Sequence, residues 1–293
     1  MKGLINALIA QISEWGPKVG RLNYIWRTVQ RQVTKRVLKR NMFLKLPNGR
    51  LIELPRSTAF SSVAWVTRGL VDDGCETVLH GLHPRNMAFG DVGAHIGFYS
   101  IWMADVASKV YAFEPDPRLQ SDLFRNLKAC PECEMVPCAL TSESGKVRFL
   151  QADSAPYSKI PSGSDGDPAG QSIEVDAWSL DEFWDQMGHP HFGSMKIDTE
   201  GHETAVFFGG KRCLAECRPL ILVETDAAEL KNYWPVFEPL GYRIGLLSKR
   251  IFGRSTQYMF GVPDVVPFTQ GMLFLIPAGI TESQFKDQVD GLQ

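Results

Sequence analysis

Short apolar segments alternate with helical ones over most of the chain. From about residue 43, seven apolar segments have the length of buried strands: residues 87–92, 110–115, 135–140, 194–198, 220–224, 242–247 and 272–277. Segments with helical periodicity lie between them, among them residues 98–107, 179–187, 202–215 and 227–239. This alternation predicts a mostly parallel sheet covered by helices on both faces. We therefore expect one doubly wound α/β domain over residues 43–293.

The composition excludes several classes of protein. Of the 293 residues, 44% are hydrophobic and 22% are charged, close to globular averages, which argues against disorder and collagen. No window approaches the roughly 20 apolar residues of a membrane span. The six cysteines are too few for a disulfide scaffold in a chain this long, and no Asn-x-Ser/Thr acceptor occurs. We therefore expect a reducing compartment and a cytoplasmic protein.

Charge is distributed unevenly along the chain. Residues 1–40 carry nine basic and one acidic side chain, a net charge of +8, whereas the remainder carries 22 basic and 32 acidic side chains, a net charge of −10. Apolar residues at helical spacing predict a helical extension over residues 1–42. It could contact an anionic membrane or an acidic partner, or pack as a solvated helix on its own domain. The acidic body argues against nucleic acid as a partner.

Residues 151–170 interrupt the strand and helix alternation. Ser, Gly, Pro and Asp make up 13 of these 20 residues, a composition typical of loops. We expect a flexible loop here, with a lid over a site as its candidate function.

A glycine motif follows the first buried strand and opens a helix. Asp91, Gly93 and Gly97 form a D-x-G-x-x-x-G pattern, which is neither the G-x-G-x-x-G of dinucleotide sites nor a nucleotide triphosphate loop. In open α/β sheets, ligands bind beyond the carboxyl ends of strands, where glycines allow a close backbone approach. An acid at this position would repel a pyrophosphate and would suit a ligand that carries an amine.

A second acid follows at the end of the next strand. Glu114 lies 23 residues after Asp91, where a carboxylate can accept hydrogen bonds from a ribose hydroxyl pair. A ligand with an amine and a ribose satisfies both acids. S-adenosylmethionine is such a ligand, and its sulfonium adds a positive charge. The spacing therefore predicts an S-adenosylmethionine site.

Five segments together resemble the FkbM family of class I, S-adenosylmethionine-dependent methyltransferases. They are DVGAHIGFYS, VYAFEPDP, SLDEF, MKIDTEGHE and PLILVE, and the resemblance runs over about residues 85–277. It implies a seven-stranded, Rossmann-like class I sheet and methyl transfer to a hydroxyl oxygen of a sugar, polyketide, other secondary metabolite or glycan. It also implies cofactor contacts from Asp91, Gly93, His95, Gly97, Glu114 and Ala139. His95 stands where the family often has Asn.

The acceptor proton needs a base near the methyl group. Asp198 ends the strand at 194–198, and His202 lies in the following turn into a helix. We predict that Asp198 or His202 accepts or relays this proton. Alternatively, Glu200 and Glu203 favour the helix N-terminus, and His202 packs or caps there.

Metal sites are possible but not predicted. Asp198 and Glu224 end neighbouring strands and could share a divalent cation, although Lys196 or water would neutralise them equally well. The pairs Cys130/Cys133 and Cys213/Cys217 lack the paired histidines that would complete a zinc spacing.

The sequence thus predicts O-methylation of a small molecule or glycan. Two alternatives remain. One is a non-catalytic module of the same fold, docked to a membrane or protein complex through its basic arm. The other, an RNA methyltransferase, requires a basic channel beside the site.

Overall fold

The computed structural model describes residues 13, 15–151, 160, 171–249 and 251–292. Its strands are β1 (Met42–Lys45), β2 (Leu51–Leu54), β3 (Ala88–Val92), β4 (Lys109–Phe113), β5 (Cys133–Val136), β6 (Ala139–Thr141), β7 (Gly145–Gln151), β8 (Gln171–Ser179), β9 (Phe192–Ile197), β10 (Leu220–Asp226), β11 (Arg243–Leu247), β12 (Tyr258–Gly261) and β13 (Gln270–Ile276). Its α-helices of known bounds are α1 (Arg21–Gln32), α2 (Phe60–Thr67), α3 (Cys75–Leu82), α4 (Phe98–Met103), α5 (Pro117–Leu127), α6 (Leu180–Gln186), α7 (Glu203–Phe208), α8 (Lys211–Cys217), α9 (Ala227–Phe237) and α10 (Glu282–Asp290). A π-helical turn (Val33–Val37) continues α1, and a 3₁₀ turn (Glu238–Leu240) follows α9. No helix in these residues is long and apolar enough to cross a membrane.

The central sheet has eight strands in the order β12-β11-β13-β10-β9-β3-β4-β5. Strands β5, β4, β3, β9 and β10 run parallel to one another, and β13 is antiparallel to both of its neighbours, β10 and β11. This confirms the doubly wound, mostly parallel class I sheet and the helical N-terminal region. The sheet has one strand more than predicted, because β12 adds to the edge. As an edge strand it has only four residues, and it is only partly buried.

One predicted strand divides into two. Residues 135–140 contribute to β5 and to β6, with Pro137 between them; proline has no N–H for a ladder hydrogen bond. Strand β6 leaves the central sheet and pairs with β8 in a separate three-stranded sheet. The other six predicted strands are observed, with their ends shifted by at most two residues. Of the expected loop at 151–170, residues 152–159 and 161–170 lie outside the described residues; β7 and β8 flank it as an antiparallel pair.

The long helix predicted at 202–215 also divides. It forms α7 and α8 around Gly209 and Gly210. A Cβ at Gly209 would overlap the carbonyl oxygen of Thr141, so this glycine allows the helix pair to approach β6 closely.

Helices cover both faces of the sheet. One core cluster contains buried residues of α3, α4, α5 and α10, and the second contains those of α6, α7, α8 and α9. The sheet lies between the two clusters, which accounts for the near-complete burial of β3 and β9. Strands that are buried on both faces have mostly apolar sequences, which made these two strands recognisable from the sequence.

The register of four parallel strands aligns their carboxyl ends. Val92 pairs with Phe113 and with Ile197, and Ile197 pairs with Val223. The residues that come next on each strand therefore form a row across one edge of the sheet. They are Gly93, Glu114, Asp198 and Glu224.

A buried asparagine ties α5 to two other segments. Asn126 Nδ2 donates to the carbonyl oxygens of Ile96 (2.8 Å) and Glu53 (3.1 Å), and its Oδ1 accepts from Glu53 N (2.8 Å). On the same helix, the large apolar residue Phe124 is 59% exposed. Asn126 takes the buried position because its amide satisfies backbone groups of the β2 strand and the glycine loop.

We expect Asn126→Ala to lower the free energy of unfolding by about 2 kcal/mol or more, because three hydrogen bonds are lost and backbone groups stay buried without partners. Urea denaturation measures this change. Phe124→Ala is the matched control on the same helix and should stay within about 0.5 kcal/mol of the wild type. Equal midpoints for the two variants would contradict the role of Asn126.

Candidate active site

A cavity opens at the aligned strand ends. Its lining includes Asp91, Gly93, His95, Glu114, Ala139, Asp198 and Glu224. Five of the six residues for which the resemblance implies cofactor contacts thus line one cavity, together with the predicted base Asp198. The sixth, Gly97, and the other candidate base, His202, do not line it.

The glycine loop follows β3 with a left-handed backbone. Gly93 has φ +82°, and a Cβ there would overlap the Asp198 carbonyl oxygen of the neighbouring strand. Gly97 has φ +85°, and its Cβ would lie 2.8 Å from Leu123 Cδ1. Gly93 therefore allows the loop to approach the end of β9, whereas Gly97 allows α4 to pack on α5.

Asp91 anchors the helix that follows the loop. Its Oδ2 accepts hydrogen bonds from Ser100 N (2.8 Å) and Ser100 Oγ (2.5 Å). The side chain is buried, and this burial raises its pKa to about 6. Asp91 thus holds the first turn of α4 in place while it contributes to the cavity wall.

Glu114 joins the glycine loop to the end of β4. Its Oε2 accepts from His95 N (2.8 Å), and its Oε1 accepts from Asp116 N (2.8 Å). A carboxylate offers about four lone-pair sites, so each oxygen keeps capacity for one more donor. Burial raises the pKa of this carboxyl to about 8. The chain therefore holds a desolvated carboxylate at the cavity wall with unused acceptor capacity.

His95 presents a buried ring to the same cavity. Neither Nδ1 nor Nε2 has a hydrogen-bond partner among the described residues, and Phe60 packs edge-on at 5.3 Å between ring centroids. Burial lowers the pKa of the imidazole to about 4, so the neutral ring offers one donor and one acceptor. Buried polar atoms are normally partnered. This unpartnered ring fits a ligand that brings its own polar groups.

The wall beyond Glu114 is apolar. Ala139 and Leu140 of β6 line it together with Phe149 and Ile160. Ala139 is buried at the start of β6. These side chains offer an apolar surface that suits a flat aromatic base.

The other end of the cavity carries several charged side chains. Lys196 Nζ lies 3.1 Å from Asp198 Oδ2, and the lysine is 2% exposed. Tyr99 Oη donates to Asp72 Oδ2 over 2.5 Å, and both residues also line the cavity. Glu224 follows Val223 at the adjacent strand end. One buried ammonium is therefore surrounded by carboxylates from three separate segments.

Electrostatic coupling within this cluster shifts its pKa values. Burial lowers the pKa of Lys196, but the carboxylates of Asp198, Asp72 and Glu224 outweigh that effect and leave it raised. Desolvation and then the negative charge of Asp198 raise the pKa of Glu224 to about 7, and the same causes raise that of Glu200 to about 7. Such shifts are frequent where groups exchange protons.

His202 contacts a different element. Its Nε2 lies 2.9 Å from Thr141 Oγ1 at the end of β6, and burial lowers its pKa. The adjacent Glu203 closes the turn, since its Oε1 accepts from Thr199 N, Thr199 Oγ1 and Gly201 N. Asp198, not His202, lines the cavity, and Glu203 stabilises the turn that precedes α7.

Several cavity residues lie outside the sequence motifs. Asp72 belongs to the segment between α2 and α3, and Phe60 and Met272 are more than 200 residues apart in the sequence. No spacing in the sequence links them to the glycine motif. Phe98 and Tyr99 also line the cavity, and the sequence could have indicated them because they come just after Gly97 of the motif.

The described residues contain no group of three or more His, Cys, Asp or Glu side chains placed to hold a metal ion. Asp198 and Glu224 do lie at adjacent positions of neighbouring strands, although β10 continues past Glu224 to Asp226, and the Lys196 ammonium lies 3.1 Å from Asp198. All six cysteines are free thiols.

Solved structures resemble parts of this chain. Methyltransferase FkbM from Methylobacillus flagellatus KT is 18% identical with a TM-score of 0.41, over 65% of this chain and 43% of that one. Precorrin-6y C5,15-methyltransferase from Geobacter metallireducens GS-15 is 12% identical with a TM-score of 0.37, over 69% of this chain and 85% of that one. The Pyrococcus abyssi tRNA (uracil-54, C5)-methyltransferase, solved with S-adenosyl-L-homocysteine, is 10% identical with a TM-score of 0.41, over 80% of this chain and 44% of that one. The chain thus spans less than half of the first of these proteins. No curated protein matches it.

The family described as "Methyltransferase FkbM domain" matches residues 91–244, more than half of the chain. The match begins at Asp91 of the glycine loop and ends in β11. It therefore includes the row of strand ends at Gly93, Glu114, Asp198 and Glu224. The chain belongs to the FkbM methyltransferase family.

Proposed function

We propose that this protein transfers a methyl group from S-adenosylmethionine to a hydroxyl oxygen of a sugar, glycan or secondary metabolite, and releases S-adenosylhomocysteine. One observation carries the proposal. A single cavity joins Glu114 and His95, which have unused hydrogen-bonding capacity, to the carboxylate of Asp198. A cofactor cradle and a candidate base therefore share one space.

At one end of the cavity, individual residues match individual groups of S-adenosylmethionine. The free acceptor capacity of Glu114 matches a ribose hydroxyl pair, and the apolar wall at Ala139 matches adenine. The neutral His95 ring offers a donor and an acceptor for polar groups of the methionyl part. When bound, the cofactor supplies an electrophilic methyl group on its sulfonium.

The acceptor end suits a hydroxylated molecule. Carboxylates accept hydrogen bonds from hydroxyl groups, and Asp198 can take the proton that leaves the acceptor oxygen as the new O–C bond forms. The Lys196 ammonium at 3.1 Å holds the Asp198 carboxylate in place. We assign the proton to Asp198. His202, in the turn that follows Asp198, is kept as the second candidate for the base.

The charge of this end also bears on the choice of acceptor. Asp72, Asp198, Glu200 and Glu224 line the cavity around one buried ammonium. Such a surplus of carboxylates disfavours the phosphate backbone of an RNA acceptor. A non-catalytic module of the same fold would not need unused hydrogen-bonding capacity at Glu114 and His95.

We expect Glu114→Ala to weaken the binding of S-adenosylhomocysteine roughly 10-fold or more, because hydrogen bonds to a charged acceptor are lost. Isothermal titration calorimetry measures the affinity. Glu134→Ala removes an exposed carboxylate of the same sheet and should bind like the wild type. Because Glu114 also holds the glycine loop, circular dichroism must show that the variant is folded. Unchanged affinity in a folded Glu114→Ala variant would contradict the proposed cofactor site.

The raised pKa of Glu114, about 8, predicts pH-dependent binding. Two ribose donors favour the ionised carboxylate, so binding lowers this pKa and releases a proton below about pH 8. We therefore expect the affinity for S-adenosylhomocysteine to fall as the pH decreases from 8 to 6. Calorimetry in two buffers of different ionisation enthalpy counts the released proton. Glu114→Gln should abolish both effects; a dependence that persists in this variant would assign them to another group.

We expect Asp198→Asn to lower methyl transfer roughly 10²- to 10⁴-fold, the usual contribution of a general base, with cofactor affinity little changed. Transfer of a labelled methyl group to a panel of hydroxylated acceptors is the assay, and His202→Ala is the comparison. Full turnover in both variants would eliminate both candidates. Loss in His202→Ala alone would move the assignment from Asp198 to His202.

A further inference from the structure

Helix α1 exposes an apolar stripe. Leu22, Trp26, Val29, Val33 and Val37, called here the α1 stripe, recur every three or four residues along α1 and its π-helical continuation. All five are exposed, and Leu22 and Trp26 have exposed fractions of 84% and 64%. The spacing places them on one face. Exposed apolar residues in a continuous row mark a contact surface more often than scattered ones do.

The opposite side of α1 is fixed to the protein. Arg31 is 1% exposed, and its Nη2 donates to Pro55 O over 2.7 Å. Arg27 Nη1 donates to Val66 O over 2.6 Å, and the buried Tyr24 packs against Val66. The helix therefore has a determined orientation, and the α1 stripe faces away from the domain.

A shallow apolar groove extends this surface. Trp26, Val29 and Val33 form one wall, and Met42 and Trp65 belong to the other side. The guanidinium of Arg68 stacks over the Trp65 ring, with its Cζ 4.2 Å from the ring centroid. The apolar surface is thus continuous with the domain and not confined to one helix.

The segment that carries the α1 stripe is strongly basic. Between residues 15 and 52 the chain has ten basic side chains and no acidic one. Lys18 and Arg50 are paired with Asp73 and Glu132. Five further basic residues are exposed and have no ion pair within the part of the chain that the structure describes. These are Arg21, Arg36, Lys39, Arg40 and Lys45.

We propose that the α1 stripe docks on the surface of an anionic lipid bilayer. An apolar face with a tryptophan, flanked by basic side chains and free of acids, is the pattern of helices that lie in the membrane interface. The apolar side chains would enter the headgroup boundary, while the long arginine and lysine side chains reach the lipid phosphates. This inference does not depend on the proposed methyl transfer.

Flotation of the full-length protein with vesicles tests the proposal. We expect the protein to float with vesicles of phosphatidylcholine mixed with phosphatidylglycerol and to stay behind with phosphatidylcholine alone. The double variant Val29→Asp/Val33→Asp should weaken binding by roughly 10-fold or more for each lost valine contact. The double variant Lys39→Gln/Arg40→Gln should weaken it by roughly 5-fold for each lost charge.

Phe124→Asp is the matched control, since Phe124 is an equally exposed apolar residue on another helix. It should float like the wild type, and the circular dichroism of all variants should match. Three results would overturn the proposal: no flotation with anionic vesicles, equal flotation with both vesicle types, or unchanged flotation of Val29→Asp/Val33→Asp. Sedimentation equilibrium without lipid adds a fourth, because a dimer that this variant dissociates would assign the α1 stripe to a second copy of the chain.

Discussion

The register of four parallel strands is the constraint on which the site depends. Val92, Phe113, Ile197 and Val223 lie side by side, so the next residue of each strand reaches the same edge. The glycine loop can approach this edge because Gly93 has no side chain to overlap the Asp198 carbonyl. A shift of one strand by a single residue would turn its terminal carboxylate to the opposite face of the sheet. The position of each acid is therefore set by the backbone ladder and by the two cores that cover it.

The site combines two kinds of polar group with different purposes. The Asp91 carboxylate accepts hydrogen bonds from Ser100, and the Glu203 carboxylate accepts them from the turn after β9. Both carboxylates therefore stabilise local structure. Glu114 and His95 are held by the backbone but keep hydrogen-bonding capacity toward the cavity. Buried polar groups that remain without partners cost stability. The unpartnered His95 ring and the remaining acceptor capacity of Glu114 suit a ligand, and a non-catalytic scaffold of the same shape would not need them.

Sequence reasoning reached the parts of the site that are local. Strand ends, the glycine motif and the place of Glu114 follow from periodicity and spacing, because backbone geometry repeats along the chain. Asp72 and Met272 could not be found in this way, since tertiary packing alone brings them to the cavity. One helix was predicted at 202–215, whereas the structure has two. The break was not predicted because its cause, the close approach of Gly209 to Thr141, is also a tertiary contact. His202 was predicted as a candidate base because it lies close to Asp198 in the sequence. In the structure its ring contacts Thr141.

We propose that Glu114 and His95 hold the cofactor beside Asp198. A crystal structure of the protein with S-adenosylhomocysteine tests it most directly. We expect the ribose hydroxyls within hydrogen-bond distance of the Glu114 carboxylate, the adenine against Ala139, and the sulfur facing the end of the cavity that holds Asp198. A ligand bound in the cavity without contact to Glu114, or bound at another surface, would contradict it.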